Sequence, residues 1–170
     1  MPTRPRPHPP GPGQRSVWDF PRPPALERTD EHVVVRFAGE VVAETRAPWR
    51  VCETSHPPVY YVPRDDVRWD LLEATHHRTF CEFKGVASYA DLVVPTADGP
   101  VRSPAACWWY DAPTSRFLDL AGAVAFYPQR VEVCEVDGEV VESVAGDFYG
   151  GWITSKVSGP FKGGPGTEWW

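Results

Sequence analysis

VVVRFAGEVVA, residues 33–43, reads as a β-hairpin: two β-branched runs flank a turn at Ala38-Gly39. VEVCEVDGEVV, residues 131–141, reads the same way, with Asp137-Gly138 as a type I′ turn signal. Aligned on glycine, both hairpins continue Gly-Glu-Val-Val. That is either an internal duplication or convergence on good hairpin chemistry, and one short match does not separate the two.

Working outward, the segments near 80–94, 104–110 and 117–127 are short, aromatic and β-branched, and are punctuated by Pro or Gly. They read as strands. One short helix is expected near 66–75, capped by Asp65 or Asp66, with Val67, Leu71 and Leu72 on one face. The tail 146–170 is Gly- and Pro-rich yet aromatic, and reads as an ordered extension that wraps the domain. Residues 1–16, MPTRPRPHPPGPGQRS, form a Pro-rich leader with little to bury, expected to be disordered or extended. The organisation is therefore a leader at 1–16 and a single mostly β domain at 17–170.

The net charge of −6 argues against nucleic-acid binding, which depends on clustered Lys and Arg. No window approaches a membrane span, and the amino terminus lacks the apolar core of a signal peptide. Cys52, Cys81, Cys107 and Cys134 form no C-x-x-C pair, so structural zinc has no sequence support. The expected setting is cytoplasmic, with free thiols.

Catalytic signatures are weak. Gly159-Pro-Phe-Lys-Gly-Gly-Pro misplaces the lysine of a phosphate-binding loop and is better read as tight turns. Asp65-Asp66 are adjacent and better suited to start a helix than to hold magnesium. His76-His77 with Cys81 could suggest a nucleophile and its base, but a strand cysteine is more often a core residue.

Lys84 is one of three lysines against fourteen arginines, and stands between Phe83 and Gly85. It either anchors a carboxylate or phosphate in a cleft or pairs with an acid on the surface. Glu53 follows Val51-Cys52 at a strand end. It either joins a polar floor or forms a buried pair with Lys84 or an arginine.

The pieces PPALER (23–28), VVVRFAGEVVAET (33–45), VCETSHPPVYYVPRDDV (51–67), CEFKGVASY (81–89), AACWWYDAP (105–113), VDGEVV (136–141), FYGGWIT (148–154) and GPFKGGPGTEWW (159–170) together resemble the domain-of-unknown-function family 427. Some members of that family carry a nucleotidyltransferase-like label, which the residues above do not support. The resemblance implies a β-tent fold: two antiparallel sheets pinned at one end and splayed at the other. Methionine sulfoxide reductase B and the ligand-binding domain of cereblon are related tents. Many tents hold zinc through two C-x-x-C pairs; here aromatic packing would take that place, and the reductase chemistry does not transfer.

The reading is a small-ligand-binding module with an aromatic-lined cleft. Its expected lining is Arg46, Glu53, Tyr61, Lys84, Tyr89, Trp109, Tyr110, Phe126 and Trp152. The expected partner is a small molecule, without cofactor or metal. One alternative is an enzyme using Glu53, Cys81 or Lys84 in the same cleft. Another is a scaffold or homodimer formed through the C-terminal extension and its Trp169-Trp170 pair.

Overall fold

The structure is a computed structural model that describes residues 3–170; the first two residues of the Pro-rich leader lie outside the described residues. The chain runs through β1 (Arg15–Ser16), β2 (Ala25–Arg28), β3 (Val33–Phe37), β4 (Glu40–Thr45), β5 (Trp49–Cys52), β6 (Val59–Tyr61), β7 (Leu72–Cys81), β8 (Gly85–Val94), β9 (Val101–Tyr110), β10 (Val124–Phe126), β11 (Val133–Val136), β12 (Glu139–Val140), β13 (Glu142–Ser143), β14 (Trp152–Ile153) and β15 (Val157–Ser158). The fold is mostly β, built from antiparallel sheets apart from one short parallel pair. Among the described residues no helix is long and apolar enough to cross a membrane.

Both expected hairpins form. Each turns through two consecutive residues with positive φ, Ala38 (50°) with Gly39 (80°) and Asp137 (51°) with Gly138 (81°). This is the primed turn whose twist matches that of the flanking strands. The two hairpins then pair with each other. β11 runs antiparallel to β3 with Val133 opposite Arg36 and Val136 opposite Val33, giving the sheet order β12-β11-β3-β4. The repeated Gly-Glu-Val-Val units are thus related by a local pseudo-two-fold axis through the β3–β11 ladder.

The second sheet is longer. β2-β5-β6 and β10-β9-β8-β7 are each antiparallel. A reciprocal pair of 2.8 Å hydrogen bonds between Val62 and Val124 continues one into the other. Side chains alternate along these strands. Tyr60, Val62, Val124, Phe126, Cys107, Trp109, Ala90 and Leu92 point to one face, where they pack against Val33, Val35, Val42, Cys134 and Val136 of the hairpin sheet. Val51, Tyr61, Ala125, Tyr127, Trp108, Tyr110, Ala87 and Tyr89 point to the other face and form a second apolar cluster.

The expected helix near 66–75 does not form. Arg64–Asp66 and Trp69–Leu71 are single 3-10 turns, and the chain then enters β7 at Leu72. Val67 and Leu71 are buried and Leu72 packs on the core, as the apolar pattern required. Tertiary pairing decides the backbone: Leu72 lies opposite Leu92 and Phe80 opposite Val86 in the β7–β8 ladder. That ladder outweighs a weak local helix preference.

Both ends of the chain close over the third apolar cluster, Val17, Trp18, Phe20, Cys52 and Val157. β1 pairs in parallel with β15, and the His8 backbone N–H donates to the Gly159 carbonyl at 2.8 Å. Trp152, fully buried, stacks on Tyr60 at 5.0 Å and donates its indole N–H to the Phe126 carbonyl.

Candidate functional site

The second face of the long sheet carries a cleft of about 480 Å³. That is the size of small-molecule sites. Tyr61, Tyr89, Trp108, Tyr110 and Tyr127 form its floor, each less than a tenth exposed. Strand parity puts them there: Trp108 and Tyr110 alternate on β9, and Tyr127 and Ala125 follow the same face from β10. The rings meet edge-on or tilted, Tyr61 to Trp108 at 6.3 Å and Trp108 to Tyr127 at 4.5 Å. Such contacts hold aromatic floors rigid. Burial pushes the Tyr61 and Tyr110 hydroxyls well above the usual phenol range, so both are neutral donors.

One wall is the tip of the β7–β8 hairpin, with Cys81, Phe83 and Lys84. Its position is fixed from behind. Thr114 donates its backbone N–H to the Lys84 carbonyl at 3.0 Å and its hydroxyl to the Phe83 carbonyl at 2.6 Å. The Lys84 side chain then passes over the Phe117 ring, 6.0 Å from its centroid. Lys84 forms no ion pair with any described residue. Burial alone would lower its pKa. Tyr61, Cys81 and Glu53 around it outweigh that, and the ammonium is held above the usual lysine range. Lys84 is therefore a charged group in a largely apolar cleft.

The opposite wall descends from β5. Glu53 lies there, but its carboxylate is taken by Arg22, whose guanidinium approaches to 3.1 Å and also donates to the Thr54 carbonyl at 2.9 Å. His56 follows, with Nδ1 2.9 Å from the Thr54 carbonyl and 3.7 Å from Glu53. The third side is the loop Asp147–Gly150. Arg130 holds it through Asp147, at 3.0 Å to the carboxylate and 2.8 Å to the carbonyl, while stacking over Tyr127 at 4.0 Å. Gly150 sits against the floor, where a Cβ would collide with the Trp108 ring.

Of the residues expected to line a cleft, Glu53, Tyr61, Lys84, Tyr89 and Tyr110 line this one, and Cys81 joins them. Trp109 and Phe126 lie on the opposite face, packed in the main core, and the Trp109 indole donates to Asp111. Trp152 is enclosed in the same core, and Arg46 is an exposed residue after β4. Trp109 and Tyr110 are strand neighbours and cannot share a face; the residue that accompanies Tyr110 is Trp108. Parity along WWY would have found it, and parity along AFY would have replaced Phe126 by Tyr127. His56, Arg130 and Tyr149 gave no comparable signal, because irregular segments deliver them.

No curated protein matches this sequence. The sequence profile of a domain of unknown function (DUF427), with the short name NTP_transf_9, matches residues 25–137, from β2 through β11. That stretch contains the whole aromatic floor, Lys84 and His56. It covers most of the chain, and the chain belongs to the DUF427 family.

Proposed function

We propose that this chain is a binding module for a small, planar, singly charged organic anion. The ligand's acid group meets the Lys84 ammonium and its flat body lies on the floor of Tyr61, Trp108 and Tyr110. The observation that carries this reading is Lys84 itself. Its ammonium stays charged on the cleft wall, and no described carboxylate comes within ion-pair distance of it, because Arg22 takes Glu53. A ligand carboxylate supplies the missing ion pair.

The number of available cations argues for one negative charge. Arg130 is engaged by Asp147 and the Ala105 carbonyl, and the Lys162 ammonium donates to the backbone oxygens of Glu168 and Trp170. A polyphosphate would need several free donors, as phosphate sites normally provide. A lone ammonium acts as a point charge suited to a carboxylate. The ring faces supply apolar contact for a flat body.

The test is calorimetric titration with naphthoate and with the uncharged naphthamide. The acid should bind and the amide should bind at least ten-fold more weakly. Lys84→Met should abolish that difference. Equal binding of acid and amide, or an unchanged preference in Lys84→Met, would overturn the reading.

A further inference from the structure

We propose that His56 is the second recognition element of the cleft: its Nε2 accepts a hydrogen bond from a hydroxyl or ring N–H of the ligand, so the preferred ligand is a planar aromatic acid that also carries a donor. This rests on the binding function proposed above and narrows its ligand class.

The argument starts from a tautomer. The partner of Nδ1 is the Thr54 carbonyl, at 2.9 Å. A carbonyl only accepts, so Nδ1 carries the proton. In the neutral ring Nε2 is then an acceptor. The ring is neutral: burial lowers its pKa below the usual histidine range, with Lys162 and Arg22 acting the same way, and the nearby Glu53 does not restore it. Nε2 has no hydrogen-bond partner among the described residues, and it is not sealed away from the cleft that His56 lines.

The ring is also held in place. The His56 backbone N–H donates to the Glu53 carbonyl at 3.0 Å, which fixes the turn, and Tyr149 packs edge-on against the ring at 5.1 Å. Lys162 in turn lies over Tyr149, 5.5 Å from its centroid. An imidazole held by the Thr54 carbonyl and the Tyr149 ring, with its one unpartnered nitrogen accessible beside a ligand-sized cleft, is built to read a donor. Lys84 reads charge and cannot distinguish a phenol from its methyl ether; His56 can.

The experiment compares the monohydroxynaphthoates with their methyl ethers on the full chain by calorimetry. At least one hydroxy acid should bind about ten-fold more tightly than its ether, the size expected when an acceptor covered by the bound ligand gains or loses its donor. His56→Phe, which keeps an aromatic ring against Tyr149, should erase that preference while leaving the acid-over-amide preference intact. On the unmodified chain, the nitrogen NMR shift of His56 Nε2 should move when the hydroxy acid binds and stay when the ether binds. Binding of the acids with no hydroxyl preference, or a preference that survives in His56→Phe, overturns the His56 assignment alone. Failure of any naphthoate to bind overturns the binding function on which it rests.

Discussion

Lys84 and Glu53 line the same cleft and do not pair. Arg22 takes the Glu53 carboxylate at 3.1 Å, and Lys84 keeps its charge without a carboxylate partner. The two residues therefore respond differently to removal. Lys84→Met replaces a half-buried ammonium by an apolar chain of similar length and should change folding stability by no more than about 1 kcal/mol. Glu53→Gln weakens a half-exposed pair with Arg22 and should destabilise by about 0.5–1 kcal/mol. Urea denaturation of both variants checks this. A loss of several kcal/mol in Lys84→Met would mean that Lys84 is part of a structural pair.

Glu31 shows what a paired buried charge looks like in this chain. It is 6% exposed and meets Arg50 at 2.7 Å, Lys156 at 2.6 Å and the Tyr60 hydroxyl at 2.9 Å. Glu31→Ala should cost about 1–3 kcal/mol, because it leaves the buried Tyr60 hydroxyl without its acceptor and Arg50 and Lys156 with only Glu27 and Asp137, respectively. Burial works to raise its pKa, but Lys156, Tyr60 and Arg50 overcome this and lower it below the usual carboxylate range. The sign follows by linkage: its contribution is complete above the unfolded glutamate pKa, about 4.3, and is lost as pH falls through the lower folded value. Thermal denaturation from neutral to acid pH should show a smaller acid loss in Glu31→Gln than in the unmodified chain.

The four thiols should separate cleanly. Cys52, Cys107 and Cys134 are buried, and burial pushes the Cys52 and Cys107 thiols up to about 12. Cys81 is half-exposed on the cleft wall. A disulfide reagent at mildly alkaline pH should titrate one thiol in the folded protein and four after denaturation. Naphthoate should slow the single reaction. Rapid reaction of a second thiol in the folded state would contradict the packing described.

Gly150 joins the loop to the floor. Gly150→Ala places a methyl group in the Trp108 ring. The overpacking should cost about 1–3 kcal/mol and weaken naphthoate binding, since the ring that must move is part of the floor. A melting temperature equal to that of the unmodified chain would show that the loop yields freely.

How much of this was legible in the sequence depends on what placed each residue. The hairpins at 33–43 and 131–141 were legible because turn chemistry and β-branched runs act locally. Their pairing through β3 and β11 was not, because the ladder joins residues about a hundred positions apart. The stretch 66–75 failed for a related reason: its apolar residues are buried as expected, but the β8 ladder sets the backbone. In the site, Tyr61, Lys84, Tyr89 and Tyr110 were legible as aromatic or charged residues in strand-like segments. Trp109 and Phe126 were misplaced by one residue each, which reverses the face of a strand. His56 is delivered by the turn after β5, held by the Thr54 carbonyl, and no periodic pattern points to it.

The most direct measurement is a crystal structure of the chain with naphthoate bound. The account predicts the carboxylate within about 3 Å of the Lys84 ammonium, and the rings against Tyr61, Trp108 and Tyr110. A cleft without the ligand, or a Lys84 turned to Glu53 with the carboxylate elsewhere, would contradict it.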